Sequence, residues 1–364
     1  MSAARAQTLA EKVVERELDA LLVSKLVNVR WLTGFTGSNA AAVVGPRARR
    51  FVTDFRYLTQ AADQLDPEWE REIATDLLQR VADGSGDEPL RLGFDDEHLS
   101  VRLHGKLAEA LPDNVELIAA GGIVESLRAV KDAGEIDAIR AAARLADAAL
   151  KDVLADGLAG RTEREIALEI EFAIRRRGAQ GVSFPPIVAA AEHGALPHAE
   201  PRDVPIPSGT LVVVDWGAQL DGYASDCTRT FATGALDARD RAIYELVLRA
   251  QRQALEAVRP GPTGREVDAV ARAIIVDGGH GEHFGHGLGH GVGLEVHEGP
   301  RLSKQGDDVL AAGNVVTVEP GVYVPGAVGV RIEDLVLVTE DGAEVLSGLP
   351  KELRTVALAL STPT

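Results

Sequence analysis

Sulfur and aromatic rings are scarce in this 364-residue chain. One cysteine, Cys227, excludes an internal disulfide. Phe, Trp and Tyr make up 4% of residues, too few for the stacking platforms that bind single-stranded nucleic acid. No run of eighteen apolar residues occurs and no charged-then-apolar leader is visible, so neither membrane spanning nor secretion is expected. Basic residues are also in deficit: 38 against 56 acidic ones give a formal net charge of -18, a field that repels a phosphate backbone. The expectation is a cytoplasmic protein with neither nucleic acid nor membrane as partner. Its length suits two domains, each able to bury a core without cross-links.

What the chain does contain is an alternation of helical and strand-like segments. Apolar residues in AQTLAEKVVEREL recur at helical spacing and lead into the apolar run ALLVS at 20–24. Further strands are predicted at AAAVV (40–44), RRFVT (49–53), RLGF (91–94) and VELIA (115–119), with helices near 56–65 and 100–111. This predicts a small α/β domain over residues 1–127, acting as a lid or a dimerisation module. NVRWLTGFTGSNA and TDFRYLTQAAD, rich in Gly, Thr and Arg, are read as strand-end segments where loops carry binding residues. His98 and His104 lie far from the other histidines and are read as surface or capping residues.

From 128 to 364 a second domain is expected. ESLRAVKDAGEIDAIRAAARLADAALKDVL becomes a long amphipathic helix with Ile136, Ile139, Ala143, Ala146, Leu150 and Val153 on one face. Thr162 with Glu165, and Thr263 with Glu266, form capping-box patterns that open further helices. TLVVVDWGAQLDGYASDCTRTFATG reads as a hairpin turning at Asp221-Gly222, and NVVTVEPGVYVPGAVGVRIEDLVLV as two strands around a Pro-Gly turn. The order helix, helix, hairpin thus occurs twice, in 135–231 and 238–338. The fold class is α+β, with two similar halves in the larger domain.

Two acids of each hairpin are read as a pair, Asp215 with Asp226 and Glu319 with Glu333. Halves packed face to face would converge four carboxylates on one cleft. Flanks such as LVVVD and VVTVEP place these acids inside sheets, where an ionised group needs a cation or a shifted pKa. Between the hairpins lies HFGHGLGHGVGLEVHEGP, with four of the nine histidines in residues 283–300. Glycines let this backbone pack closely, and one imidazole would complete the ligand set. An isolated strand acid is more often an edge or turn residue than a ligand, but five donors in matching positions point to two divalent ions. Oxygen donors with a single imidazole suit manganese, cobalt, zinc or iron and the chemistry of metal-assisted hydrolysis.

Two neighbours can be read from strand geometry. Cys227 points to the face opposite Asp226, which favours a buried, inert thiol over a nucleophile. Arg331 lies two residues before Glu333 on the same face and can bond a ligand carboxylate or the substrate. His286, His290 and His297 are read as site residues, and His280 and His283 are left unassigned.

VDWG at 214–217, SDCTRT at 225–230, HGLGHGVGLEVHEGP at 286–300, VEPGVY at 318–323 and RIED at 331–334 resemble the pita-bread metallopeptidases, in particular their prolyl branch of prolidases and aminopeptidases P. NVRWLTGF, TDFRY and LRAVKDAGEIDAIR resemble the creatinase-type N-terminal domain and its junction. The resemblance implies that Asp215 chelates one metal, that His290 and Glu319 bind the other, and that Asp226 and Glu333 bridge both. Manganese is the expected metal, with cobalt or zinc as alternatives. Glu319 is also implied as general base, His297 as stabiliser of the tetrahedral intermediate, and His286 as a shaper of the substrate pocket. His198, in ALPHAEP, is implied at the scissile bond, and Arg331 as the residue that orients the bridging ligands. One departure is visible: AAAEHG stands where the family often has a Ser-Gly-x-Asn turn, with His193 near the usual Asn.

The implied reaction is attack of a metal-bridging hydroxide on the carbonyl before proline. The implied substrates are Xaa-Pro dipeptides or short peptides, and the implied assembly is a homodimer. A dipeptidase is the first expectation, from the compact N-terminal domain, and an Xaa-Pro aminopeptidase the second. A metal-free creatinase-like C–N hydrolase and a non-catalytic binding module are the alternatives from other classes.

Overall fold

A computed structural model describes residues 2–356 and divides into two compact units, Met1–Arg128 and Ala129–Thr364. The first is built on a six-stranded sheet of β1 (Ala20–Val23), β2 (Ala40–Gly45), β3 (Ala48–Thr53), β4 (Glu70–Ile73), β5 (Leu90–Phe94) and β6 (Val115–Ala119), in the order β4-β3-β2-β1-β5-β6. Six helices accompany it: α1 (Ser2–Glu15), α2 (Leu26–Thr33), α3 (Leu58–Gln64), α4 (Leu77–Asp83), α5 (Val101–Ala110) and α6 (Ile123–Ala129). Leu22, Val43, Val52 and Leu92 form the centre of its core. The strands expected from sequence are all present, as is the alternation that defines the α/β class.

NVRWLTGF corrects the sequence reading, because most of it is helix α2 rather than a strand-end loop. Val29, Trp31 and Leu32 are buried on it, and Gly34 ends it in the left-handed region at φ 81°. Tertiary burial outweighs the low helix propensity of Val, Trp and Thr here. His98 is exposed, and His104 packs its ring 4.9 Å from that of Phe94.

The second unit opens with α7 (Ala133–Ala155) and α8 (Glu163–Arg176). Both start on complete capping boxes, Asp132 with Glu135 and Thr162 with Glu165. Strands β7 (Gly181–Val182), β8 (Ile187–Ala190), β9 (Leu211–Trp216), β10 (Ala218–Leu220), β11 (Tyr223–Ala224) and β12 (Cys227–Ala232) follow. Then come α9 (Ala238–Ala257) and α10 (Gly264–Asp277), the latter on the Thr263–Glu266 box. Strands β13 (Gly289–Gly291), β14 (Glu298–Leu302), β15 (Val315–Val318), β16 (Gly321–Val324), β17 (Val328–Arg331), β18 (Asp334–Val338) and β19 (Ala343–Val345) complete it. Ile139, Ala143, Ala146, Leu150 and Val153 of α7 are buried as their spacing predicts.

Each half packs its helix pair against its own strands. In the first, Leu150, Ile166 and Ile170 share a core with Val188, Val212 and Val214. In the second, Val247, Val267 and Ile275 do the same with Val316, Val318 and Val336. The helix, helix, hairpin order is therefore a structural repeat.

Both hairpins are interrupted, which the sequence reading of continuous strands did not anticipate. In the first, β9 pairs with β12 and β10 with β11, and Gly217 and Asp226 fall in the gap. A Cβ on Gly217 would stand 2.0 Å from the Ser225 carbonyl oxygen, so only glycine fits this close approach. The turn is at Asp221 (φ 48°) and Gly222 (φ 81°), the positive-φ pair that a tight hairpin demands. In the second, β15 pairs with β18 and β16 with β17, leaving Glu319, Pro320, Ile332 and Glu333 in the gap. Pro320 has no N–H to offer a ladder. The two acids of this gap find backbone partners elsewhere: Glu319 N–H donates to Leu288 O at 2.8 Å and Glu333 N–H to Thr228 O at 3.0 Å. The second bond joins one hairpin directly to the other.

Candidate metal centre and active site

The gaps in the two ladders place the acids. Asp215, near the end of β9, and Asp226, in the first gap, come from one half; Glu319 and Glu333, in the second gap, come from the other. Interrupted strands bend locally and re-aim their side chains, which turns two sheets' worth of acids toward one point. One oxygen each of Asp215, Asp226 and Glu333 lie within 4.8 Å of one another, and all three residues are buried. His290 joins them from β13, its Nε2 3.3 Å from Glu319 Oε1 and 3.7 Å from Asp226 Oδ2. Its Nδ1–H donates to the Gly291 carbonyl at 3.1 Å, which fixes the ring and directs Nε2 at the acids.

The glycines beside His290 serve close approach, as the sequence suggests. A Cβ on Gly289 would lie 2.0 Å from Thr317 O, and one on Gly291 2.0 Å from Gly299 O. His290 N–H is received by Thr317 Oγ1 at 3.1 Å, and that hydroxyl bonds Glu319 Oε1 at 3.0 Å.

Arg331 is the cation already present. Buried at 4% exposure, it donates through Nη2 to Asp215 Oδ2 at 2.6 Å, through Nε to Thr228 Oγ1 at 2.9 Å, and through Nη1 to Tyr323 Oη at 2.8 Å and Pro197 O at 3.1 Å. Thr228 in turn donates its hydroxyl hydrogen bond to Glu333 Oε2 at 2.7 Å. Tyr323 Oη lies 3.0 Å from His286 Nε2, whose Nδ1–H donates to Gly287 O at 2.7 Å. The tyrosine hydroxyl therefore donates to His286 and ties that ring to Arg331.

Four carboxylates against one guanidinium leave negative charge in excess. Burial, then repulsion by Glu333 and Asp215, pushes Asp226 well above the usual carboxylate range. Burial, then Glu319 and Asp215, does the same to Glu333, and burial raises Asp215 in spite of Arg331. Glu319 and His290 behave as a pair. Burial opposes charge on each, but their mutual hydrogen bond and attraction win, so Glu319 is lowered and His290 raised. Asp215 Oδ1 and Glu333 Oε1 are buried with no hydrogen-bond partner. Such orphaned oxygens cost about 1–3 kcal/mol each, and more when ionised. Hard oxygen donors, unfilled lone pairs and one imidazole fit divalent metal ions, which would supply the missing positive charge.

All nine residues expected from the sequence line one cavity of about 500 Å³: His198, Asp215, Asp226, His286, His290, His297, Glu319, Arg331 and Glu333. His297 packs its ring at a tilt of 58° against that of His290, centroids 4.3 Å apart, and burial lowers its pKa, as it does that of His286. His198 is exposed on the cavity wall, next to Pro197 and Ala199. Phe184, Pro186 and Ile187 add an apolar lining. His280 and His283 lie outside it and face each other, Nδ1 to Nδ1, at 3.1 Å. Cys227 is buried and belongs to the core of the first half.

Residue-type reasoning missed Thr228, Thr317 and Tyr323. Hairpin register could have found the first, since equal steps from the Asp221-Gly222 turn pair Thr228 with Asp215. Thr317 stands two residues before Glu319 and so on the same strand face, while Tyr323 carries no such signal, because its role depends on His286 and Arg331.

Residues 137–340 match metallopeptidase family M24, and residues 5–130 match the creatinase/prolidase N-terminal domain. The chain belongs to metallopeptidase family M24. That makes it a metal-dependent hydrolase and bears out the resemblance drawn from its motifs. An Xaa-Pro dipeptidase of Pyrococcus furiosus is 37% identical to this M24 chain over 360 residues, covering 96% of it and 99% of the relative. Among solved structures, an Xaa-Pro dipeptidase from Bacillus anthracis superposes with a TM-score of 0.94 at 38% identity, covering 98% of this chain and 100% of that one. An X-Pro aminopeptidase from Thermotoga maritima gives 0.88 at 34% identity, covering 96% and 99%. Among the described residues, no helix is long and apolar enough to cross a membrane.

Proposed function

We propose that this M24 enzyme hydrolyses the peptide bond between an N-terminal residue and proline, with Xaa-Pro dipeptides as its preferred substrates. The observation that carries the reading is one cavity lined both by the acid cluster with His290 and by Phe184, Pro186, Ile187 and Pro197. Proline has a rigid ring and no N–H, so an apolar wall suits it better than a ladder of hydrogen bonds. The acids suit a substrate that arrives with a free amine.

Asp215 would hold one ion, His290 and Glu319 a second, and Asp226 and Glu333 both. Manganese is the metal of choice for this donor set, and cobalt or zinc would also serve. Such ions lower the pKa of water and polarise the scissile carbonyl. Glu319, kept ionised beside His290, takes and returns a proton as general base and acid. His297 and His198 stabilise the oxygen of the tetrahedral intermediate and hold the peptide at the scissile bond. His286, fixed by Tyr323, shapes the pocket, and Arg331 keeps Asp215 and Thr228 in place. The active species is a homodimer, which sedimentation velocity would check.

The deciding experiment compares Ala-Pro with Ala-Pro-Ala in the presence of manganese, followed by titration with a chelator. Faster turnover of Ala-Pro supports the dipeptidase. Faster turnover of the tripeptide would transfer the reading to an Xaa-Pro aminopeptidase, which the likeness to the Thermotoga maritima enzyme also favours. Activity that survives chelation would point to creatinase-type C–N hydrolysis and overturn both.

A further inference from the structure

We propose that Glu163 is a positioning residue for substrate recognition, fastening both ends of the 190–202 segment whose middle lines the cavity. The proposal rests on the peptidase reading above for its substrate, but its structural half stands apart from it. Glu163 opens α8 and is 1% exposed. Its own atoms take no part in the cavity lining.

Its carboxylate is saturated by donors from one segment. At the near end, Ala190 N–H donates to it at 2.9 Å. At the far end, Arg202 gives its backbone N–H at 3.0 Å and its Nε and Nη2 at 3.1 Å each. From the short turn between them, His193 Nδ1 lies 2.9 Å from one oxygen and 3.1 Å from the other. His193 thus stands inside the protein, 9% exposed, where the sequence departs from the family's turn. The Glu163 pKa is lowered: burial alone would raise it, but Arg202 and the two backbone donors outweigh that. The position at the first turn of α8 adds the favourable end of the helix dipole.

What lies between the two ends is part of the site. Pro197, His198, Ala199, Glu200 and Pro201 line the cavity, and Pro197 O accepts from Arg331 Nη1 at 3.1 Å. Ala191, just after the first fastening, holds φ 53°, a conformation that L residues adopt only under constraint. The turn is pressed onto β17, where a Cβ on Gly329 would fall 1.7 Å from Gly194 O. A single buried carboxylate therefore fixes where a proline-rich wall and His198 stand relative to the strand that ends in Arg331.

The test uses Glu163→Gln, His193→Ala and His193→Asn in the full chain. Glutamine keeps the shape but loses the charge that pairs with the two Arg202 guanidinium donors and puts an N–H where one oxygen accepted, so KM for Ala-Pro should rise about ten-fold while kcat stays within about three-fold, the scale of one charge-assisted hydrogen bond. Calorimetric affinity for manganese alone should not change. His193→Ala should move KM in the same direction, and His193→Asn, which keeps a donor, should restore it. Amide exchange at Ala190 and Arg202, read without substrate, should accelerate in Glu163→Gln. Unchanged KM and exchange, or manganese affinity falling in step with KM, would overturn the proposal. If Glu163→Gln fails to fold, equal KM values for the two His193 variants would overturn it instead. A wild-type enzyme inert toward Ala-Pro would sink the substrate reading, while the exchange data would still decide the fastening.

Discussion

Arg331 and Asp215 meet at 2.6 Å across the two halves of the catalytic unit, with both side chains buried. One guanidinium thereby fixes an acid of the first hairpin from a strand of the second. Arg331→Lys keeps the charge but cannot reach Asp215, Thr228, Tyr323 and Pro197 together. The variant is expected to lose about 10- to 100-fold in kcat/KM on an Xaa-Pro substrate, measured at saturating metal.

Removing a central acid should remove metal and activity together. Asp226→Ala or Glu333→Ala is expected to weaken manganese binding by more than about 100-fold in calorimetry, because each supplies an oxygen that no neighbour replaces. Full Xaa-Pro cleavage by either variant would refute the two-metal centre.

Tyr323→Phe separates substrate geometry from metal binding. The hydroxyl bridges Arg331 Nη1 and His286 Nε2, and neither of those residues is proposed to touch metal. A fall of about ten-fold in kcat/KM with unchanged metal affinity is expected from the loss of one buried hydrogen bond to a charged group. Equal losses in both would show that the bridge holds the ligands instead.

The metal-free protein should become less stable as pH rises. Asp215, Asp226 and Glu333 have folded-state pKa values above those of the unfolded chain, so the folded state binds the extra protons. Their stabilisation is present below the unfolded carboxylate range and is lost as pH rises through the folded values. His290, also raised, acts in the same direction above its unfolded pKa; His280, His286 and His297, lowered by burial, act the opposite way up to the unfolded histidine value but are outweighed by the large rises of Asp226 and Glu333, while the lowered pKa of Glu319 contributes steadily above the usual carboxylate range. Thermal melts from pH 5 to pH 8 with chelator present should therefore fall in Tm, and saturating manganese should give a larger rise in Tm at pH 8 than at pH 5. A Tm that climbs over this range with chelator present would contradict the account.

Much of this site could be read from the chain because the information is local. Asp215 and Glu319 end apolar runs, and His290 sits between glycines that only a close backbone approach requires. The capping boxes at Thr162 and Thr263 were equally legible, since each is completed within four residues. What escaped was non-local. The breaks at Gly217–Asp226 and at Glu319–Glu333 depend on the partner strand, and Tyr323 gains its role only when Arg331 and His286 arrive from other segments. Helix α2 escaped because burial, not propensity, forms it. In the sequence His193 is only a departure from the family's turn; its partner, Glu163, lies thirty residues earlier.

The bond from Glu333 N–H to Thr228 O gives the catalytic unit an assembly sensor. Glu333 presents its carboxylate to the acid cluster with its own backbone docked on the opposite hairpin, so the cluster is complete only where the two halves are joined. With metal held as proposed, tight binding of an ion would report that both halves have closed.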